Sequence, residues 1–179
     1  MATSSSTNFE PNVTEFVEEA FERCGLELRT GYDLVTAKRS INLMLAEWAN
    51  RGLNQWTIQE GTQTVTKDTL NYTLDSNVVD ILDCSIRRTD GSVTTDLSMR
   101  RLSRSEYLNI PVKSTTGRPT QFFLDKQNAA VLRIWPAPEN NTDVLVFNKI
   151  VRMDDADTAL NTMDMPFRFY PCFAAGLAY

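Results

Sequence analysis

TGYDLVTAKRSINLMLAEWANRGLNQW, residues Thr30 to Trp56, decides the fold. Leu34, Ala37, Ile41, Met44, Leu45 and Trp48 recur at the three- and four-residue steps that put one stripe of a helix against a core. Thr30 with Asp33 has the form of a capping box, and Gly52 supplies a left-handed residue to stop the helix. Trp56 and Ile58 then open an every-second-residue pattern. A helical scaffold is therefore expected to hand over to a sheet within a few residues.

Working outward toward the N-terminus, Asn12 is placed to cap a first helix, with Glu15 completing the box. Val13, Phe16, Val17, Ala20, Phe21 and Cys24 form its apolar stripe, and Gly25 ends it. The link from Leu26 to Arg29 is short, as between antiparallel neighbours. Two helices bury little by themselves, so a third element must cover them. Residues 1–11 are rich in Ser and Thr and read as a flexible arm that could order on a partner. They lack the basic and apolar regions of a secretory signal.

Toward the C-terminus the period changes to two. Leu70, Tyr72 and Leu74 alternate, then Val79 and Ile81, with a phase flip to Leu82, Cys84 and Ile86 that suggests a β-bulge. Thr89–Ser92 reads as a hairpin turn around Gly91, with Leu97 and Met99 on the return strand. Ser103 and Glu106 form a second capping box for one helical turn ahead of Pro111. Lys113–Pro119 is a loop. Gln121–Asp125, Ala130–Trp135 and Asp143–Val151 are further strands, with turns at Gln127-Asn128 and Pro136–Asn141. Runs such as Val144–Phe147, apolar on both faces, belong inside a sandwich or under a helix. After the acidic stretch Met153–Met165, Pro166–Tyr179 reads as a helix with Pro171 in its first turn and Phe173, Ala174 and Leu177 facing inward. No stop signal follows, so the native chain is expected to continue past Tyr179.

The expected fold is α+β: a helical hairpin (12–54) and a returning C-terminal helix (164–179), with a large antiparallel, sandwich-like β insertion (55–153). With 179 residues, one domain or two small modules sharing a core is the natural scale.

Composition excludes several functions. The chain has no histidine, which removes Ser–His and Cys–His nucleophile pairs and the commonest transition-metal ligand. Cys24, Cys84 and Cys172 are too few and too far apart for a disulfide framework or a zinc site, and read as buried small apolar residues in a reducing cytoplasm. A net charge of −5 argues against tight sequence-independent binding of nucleic acid, although DNA could slide past such a surface. No apolar run reaches membrane-spanning length.

The candidate sites are weak. Asp154, Asp155, Asp157 and Asp164 invite a calcium reading, but from Asp155 the fifth and sixth positions are Ala159 and Leu160, where the calcium loop needs an oxygen ligand and a glycine. They read instead as a solvated helix-capping loop, with no metal. Glu60, Asp83 and Asp125 lie on expected strands, yet nothing sets any two at a catalytic separation. No glycine-rich phosphate loop or cofactor motif is present. Trp48, Trp56 and Trp135 read as core residues. Arg87, Arg88, Arg100, Arg101 and Arg104 cluster around one hairpin. They are either a face balanced by neighbouring acids or a docking patch for an acidic partner subunit.

Three stretches carry a family resemblance. They are Ala37–Gly52 followed by Trp56–Gly61, then Gly117–Asp125 with Leu132–Pro138, and finally Pro166–Pro171. With them the chain resembles the head-to-tail adaptor of short-tailed phages, the tail tubular protein A family. The resemblance implies a non-enzymatic virion protein, assembled in the host cytoplasm and placed at the head–tail junction. It implies a homo-oligomeric ring of twelve subunits that binds the portal protein above and the tail nozzle protein below, with tail fibres as possible neighbours. DNA would leave through the channel without sequence-specific contact. The competing reading is a monomeric ligand- or carbohydrate-binding β module on a helical base.

Overall fold

The structure, a computed structural model, describes residues 5–28, 31–127 and 129–179. The expected caps at Thr30 and at the Asn128 turn lie wholly or partly outside the described residues. Two compact units emerge, one from residues 1–56 and 153–179, the other from residues 57–152.

The first unit is helical. Helix α1 (Val13–Arg23) has the expected capping box: the Glu15 N–H donates to Asn12 Oδ1 and the Asn12 N–H to Glu15 Oε2. Its remaining first-turn donors are also satisfied, Val13 by the Asn161 carbonyl at 3.0 Å and Thr14 by that of Ala159 at 3.1 Å. The acidic stretch thus caps α1 with main-chain oxygens, because a helix start leaves N–H groups that need acceptors. The same stretch is tied to helix α2 (Gly31–Asn50): Asn42 Oδ1 accepts the Ala156 N–H, and Lys38 Nζ donates to the Asp157 carbonyl. Both helices end in a Schellman pattern. Leu26 N–H reaches the Phe21 carbonyl and Leu53 N–H that of Trp48, with Gly25 and Gly52 at positive φ.

After a 3-10 turn at Phe167–Phe169, helix α4 (Tyr170–Ala178) returns onto α1 and α2. Phe173 is fully buried, edge-on to Phe16 at 4.9 Å and to Trp48 at 6.2 Å. Phe16 also meets Tyr170 edge-on at 5.2 Å. Trp56 joins this unit by packing on Phe169. Ser5–Glu10 are exposed, with Phe9 resting edge-on against Tyr170.

The second unit has two four-stranded sheets that share a main core, together with a two-stranded pair. The first sheet has the order β1-β10-β3-β4, from β1 (Ile58–Thr64), β10 (Val144–Val151), β3 (Val78–Asp90) and β4 (Val93–Ser98), all antiparallel. The second has the order β2-β8-β7-β5, from β2 (Asn71–Thr73), β8 (Val131–Trp135), β7 (Gln121–Asp125) and β5 (Arg100–Arg101). Ile81, Cys84, Ile86, Leu145 and Phe147 from the first meet Phe122, Leu124, Leu132 and Ile134 from the second. The chain changes sheet at Met99, whose N–H bonds to Cys84, while the next N–H, of Arg100, bonds to Thr120.

Several expectations are corrected. Trp56 lies outside the sheet, and Ile58 is 45% exposed: in β1 the odd residues Gly61 and Gln63 face inward and lead to buried Val65. Gly61 and Gln63 are not apolar, so the phase did not show in hydrophobicity. Strand β3 carries two bulges rather than one. Leu82 and Val79 are the extra residues, so its buried positions run Val78, Ile81, Cys84, Ile86, and Val79 and Leu82 are exposed. The two expected loops around Gly117 and Pro138 each contribute a two-residue strand, β6 (Thr116–Gly117) and β9 (Ala137–Pro138), which pair in parallel, as do β5 and β7. The strand buried on both faces is β7. Helix α3 (Arg104–Leu108), with its Ser103–Glu106 capping box, covers it by stacking Tyr107 on Phe123 at 5.3 Å.

Candidate docking surfaces

The five arginines are spread over both sheets and α3, and each is held by a carboxylate of its own unit. Arg87 on β3 meets Asp96 on β4 through two bonds, Nε to Oδ1 at 2.8 Å and Nη2 to Oδ2 at 2.7 Å. This is the cross-strand pair that the hairpin register Arg87–Asp96 dictates. Arg88 donates to Asp143 at 2.8 Å and to Glu139 at 2.9 Å. Arg100 reaches Glu106 at 2.6 Å, and Arg101 joins Asp80 at 2.8 Å and the Ile81 carbonyl at 2.7 Å. Arg104 meets Asp125, which also accepts from Arg133 at 3.1 Å.

These pairs set the electrostatics. Burial pushes the Asp143 carboxyl up, but Arg88, Asn140 and Arg118 outweigh it and hold the group below the usual carboxylate range. Asp80 behaves alike: burial is outweighed by Lys126, Arg101 and the Ile81 N–H. Six acids therefore surround the five arginines, and the cluster is locally balanced rather than strongly basic.

The other candidates fall as follows. Asp125 is buried between two guanidiniums, while Glu60 and Asp83 are exposed on the outer side of the first sheet. Among the described residues, no group of acids, cysteines or histidines is arranged to hold a metal ion. Cys84 is buried, but Cys24 and Cys172 are exposed, against the expectation for all three. Cys24 is the C-cap of α1, with its Sγ–H directed to the Ala178 carbonyl at 3.1 Å, and Cys172 lies in the first turn of α4. Trp48 and Trp56 pack on the helical core, whereas Trp135 is half-exposed at the end of β8 and donates Nε1–H to the Val112 carbonyl.

Exposed apolar side chains mark surfaces that sequence reasoning missed. On α2, Tyr32, Val35 and Leu43 are 61–77% exposed on the side away from the buried stripe. In the β unit the first sheet has two long edges, β1 and β4, that are unpaired among the described residues, and β4 is exposed along its whole length. Strand order is not written in any local pattern, so an edge could not be told from a central strand.

A family model described as SU10 adaptor protein matches residues 12–179. The chain belongs to the SU10 adaptor protein family. No curated protein matches it. Membership in this adaptor family supports a structural role in a phage virion, among other head and tail proteins. No helix among the described residues is long and apolar enough to cross a membrane.

Proposed function

We propose that this adaptor is a head-to-tail joint of the tail tubular protein A kind: a ring, of twelve copies, seated between the portal and the tail nozzle and lining part of the genome's exit path. The observation that carries the reading is the adaptor match across nearly the whole chain. The architecture supports it. The chain folds as two compact units, a helical one and a β one formed by the residues inserted in it, and each has a surface of its own to offer a neighbour. The balanced arginine pairs and the net charge of −5 suit a wall that DNA passes without sticking, since sequence-independent binding needs uncompensated cations. The protein works by holding partners together rather than by chemistry. The arginine–carboxylate pairs of the β unit, at Arg87, Arg88, Arg100, Arg101 and Arg104, are the groups we assign to subunit contact.

Electron microscopy of the purified chain, alone and mixed with its portal protein, tests the reading. Rings stacked on the portal are expected. Monomers under both conditions would overturn it and favour a monomeric ligand-binding β module.

A further inference from the structure

We propose that the two long edges of the first sheet form one interface, in which β4 of one copy pairs antiparallel with β1 of the next. This rests on the ring reading above and names the contact that would close it.

The edges are lightly protected. Natural sheets blunt an open edge with short strands, charged side chains, proline or a bulge. The second sheet does so, because its edge strands β2 and β5 have three and two residues. The first sheet has one charge on each edge, Glu60 and Asp96, and no other such device. Its edges, IQEGTQT in β1 and VTTDLS in β4, are seven and six residues long, contain neither proline nor lysine, and pair inward without a register shift.

Their free groups can be named. Val65 N–H bonds to the Asp143 carbonyl, so in β1 the odd residues turn their backbone groups toward β10. Ile58, Glu60, Thr62 and Thr64 point theirs outward, where the Thr64 carbonyl already accepts from Gln63 Nε2 at 3.1 Å. Met99 N–H bonds to the Cys84 carbonyl, so in β4 the odd residues face β3, and Thr94, Asp96 and Ser98 point outward.

The two edges fit each other. Direction alternates across the four antiparallel strands, so a β4 laid beside the next copy's β1 runs antiparallel to it. The even-numbered residues of both strands then face the same solvent side, and the core-side residues Gln63 and Leu97 share the other. Charge selects the register. Setting Asp96 opposite Glu60 would place two carboxylates face to face, which is destabilising. A shift of two residues pairs Thr94 with Thr64, Asp96 with Thr62 and Ser98 with Glu60. Among the described residues Glu60 makes no salt bridge, and in this register it faces the Ser98 hydroxyl rather than a second carboxylate. Such a contact is head-to-tail, the kind that generates rings when the rotation closes.

Cross-linking tests this on the full chain with Cys24→Ser and Cys172→Ser. The register makes Gln63 and Thr95 a close, non-hydrogen-bonded pair, the spacing a disulfide needs. Within one copy these residues are three strand spacings apart, about 14 Å, too far to bridge. Gln63→Cys with Thr95→Cys should therefore give a ladder of multimers under mild oxidation, reversed by reductant, whereas Thr62→Cys with Thr95→Cys, on opposite faces, should leave monomer. A second variant, Thr94→Pro, removes an N–H that no bond among the described residues uses, so it should keep the monomer's circular dichroism and lose assembly. Rings in the microscope without the ladder, or normal rings from a folded Thr94→Pro protein, would overturn the edge contact and leave the adaptor reading standing. Monomers even with portal present would overturn both.

Discussion

Gly61 lies directly beneath the ring of Phe147: a Cβ on Gly61 would stand 2.7 Å from Phe147 Cε2. The two are register partners across β1 and β10, and Phe147 is itself fixed in the sandwich core. Neither can give way. Gly61→Ala is therefore expected to cost about 1–3 kcal/mol, the usual price of overpacking. Chemical denaturation of the variant checks this, and a midpoint equal to that of the parent would show that the sheet can shift.

Gly176 offers the contrast. A Cβ there would meet Met44 Sδ at 2.8 Å, but that sulfur belongs to a flexible, half-buried side chain. Alanine is also the better helix former by about 1 kcal/mol. Gly176→Ala should leave stability within about 1 kcal/mol of the parent. A loss as large as that of Gly61→Ala would mean that α4 needs the closer approach.

Acid should unfold the β unit through Asp80 and Asp143. Both carboxyls are held below their ordinary value in the folded chain, because burial is outweighed by their arginine, lysine and amide partners. A depressed folded pKa stabilises above the unfolded pKa, about 3.9 for Asp, and that stability is lost as pH falls from there through the folded pKa. Thermal unfolding followed from about pH 7 to about pH 2 should show a steep acid limb. Asp143→Asn should lower stability at neutral pH and flatten that limb. An unchanged slope would show that the Arg88 pair contributes nothing.

Helices were more legible in the sequence than strands, for a physical reason. The Asn12 and Ser103 caps are local: donor and acceptor sit three residues apart, so the sequence contains the whole interaction. Gly25 and Gly52 likewise announce their own positive φ. Strand phase depends on what lies across the sheet. Gly61 and Gln63 face inward though neither is apolar, and Ile58 faces outward though it is. The arginine cluster was visible as a run of charge. Its partners Asp80, Asp125, Glu139 and Asp143 come from distant parts of the chain, and only the folded register brings them in.

Asp125 separates structural carboxylates from surface ones. Its side chain is 4% exposed between Arg104 and Arg133, whereas Arg104 itself is 71% exposed. Losing Asp125 strands a half-buried guanidinium, and charged hydrogen bonds of this kind contribute about 1.5–3 kcal/mol. Losing Arg104 removes a mostly solvated partner and should cost under about 1 kcal/mol. Asp125→Ala is thus expected to destabilise clearly and Arg104→Ala barely, in parallel urea titrations. Equal losses would show that the pair acts as a unit and that Arg133 does not hold the carboxylate alone.

Thiol reactivity reports the same division between core and flank. Cys24 and Cys172 are exposed, while Cys84 is buried in the sandwich core beside Met99, and burial pushes its thiol up to about 12. The thiolate is the reactive form, so near neutral pH Cys84 is both shielded and protonated. An aromatic disulfide reagent should titrate two thiols in the folded free subunit and the third only in denaturant. Rapid reaction of all three without denaturant would mean that the sheets part around Cys84 under native conditions. That opening would expose the same core that Phe147 and Leu145 close, so it should be accompanied by fast amide exchange in β10. If Cys84 reacts while β10 remains protected, the opening is confined to the β3–β4 hairpin, the strand pair that ends on the free edge.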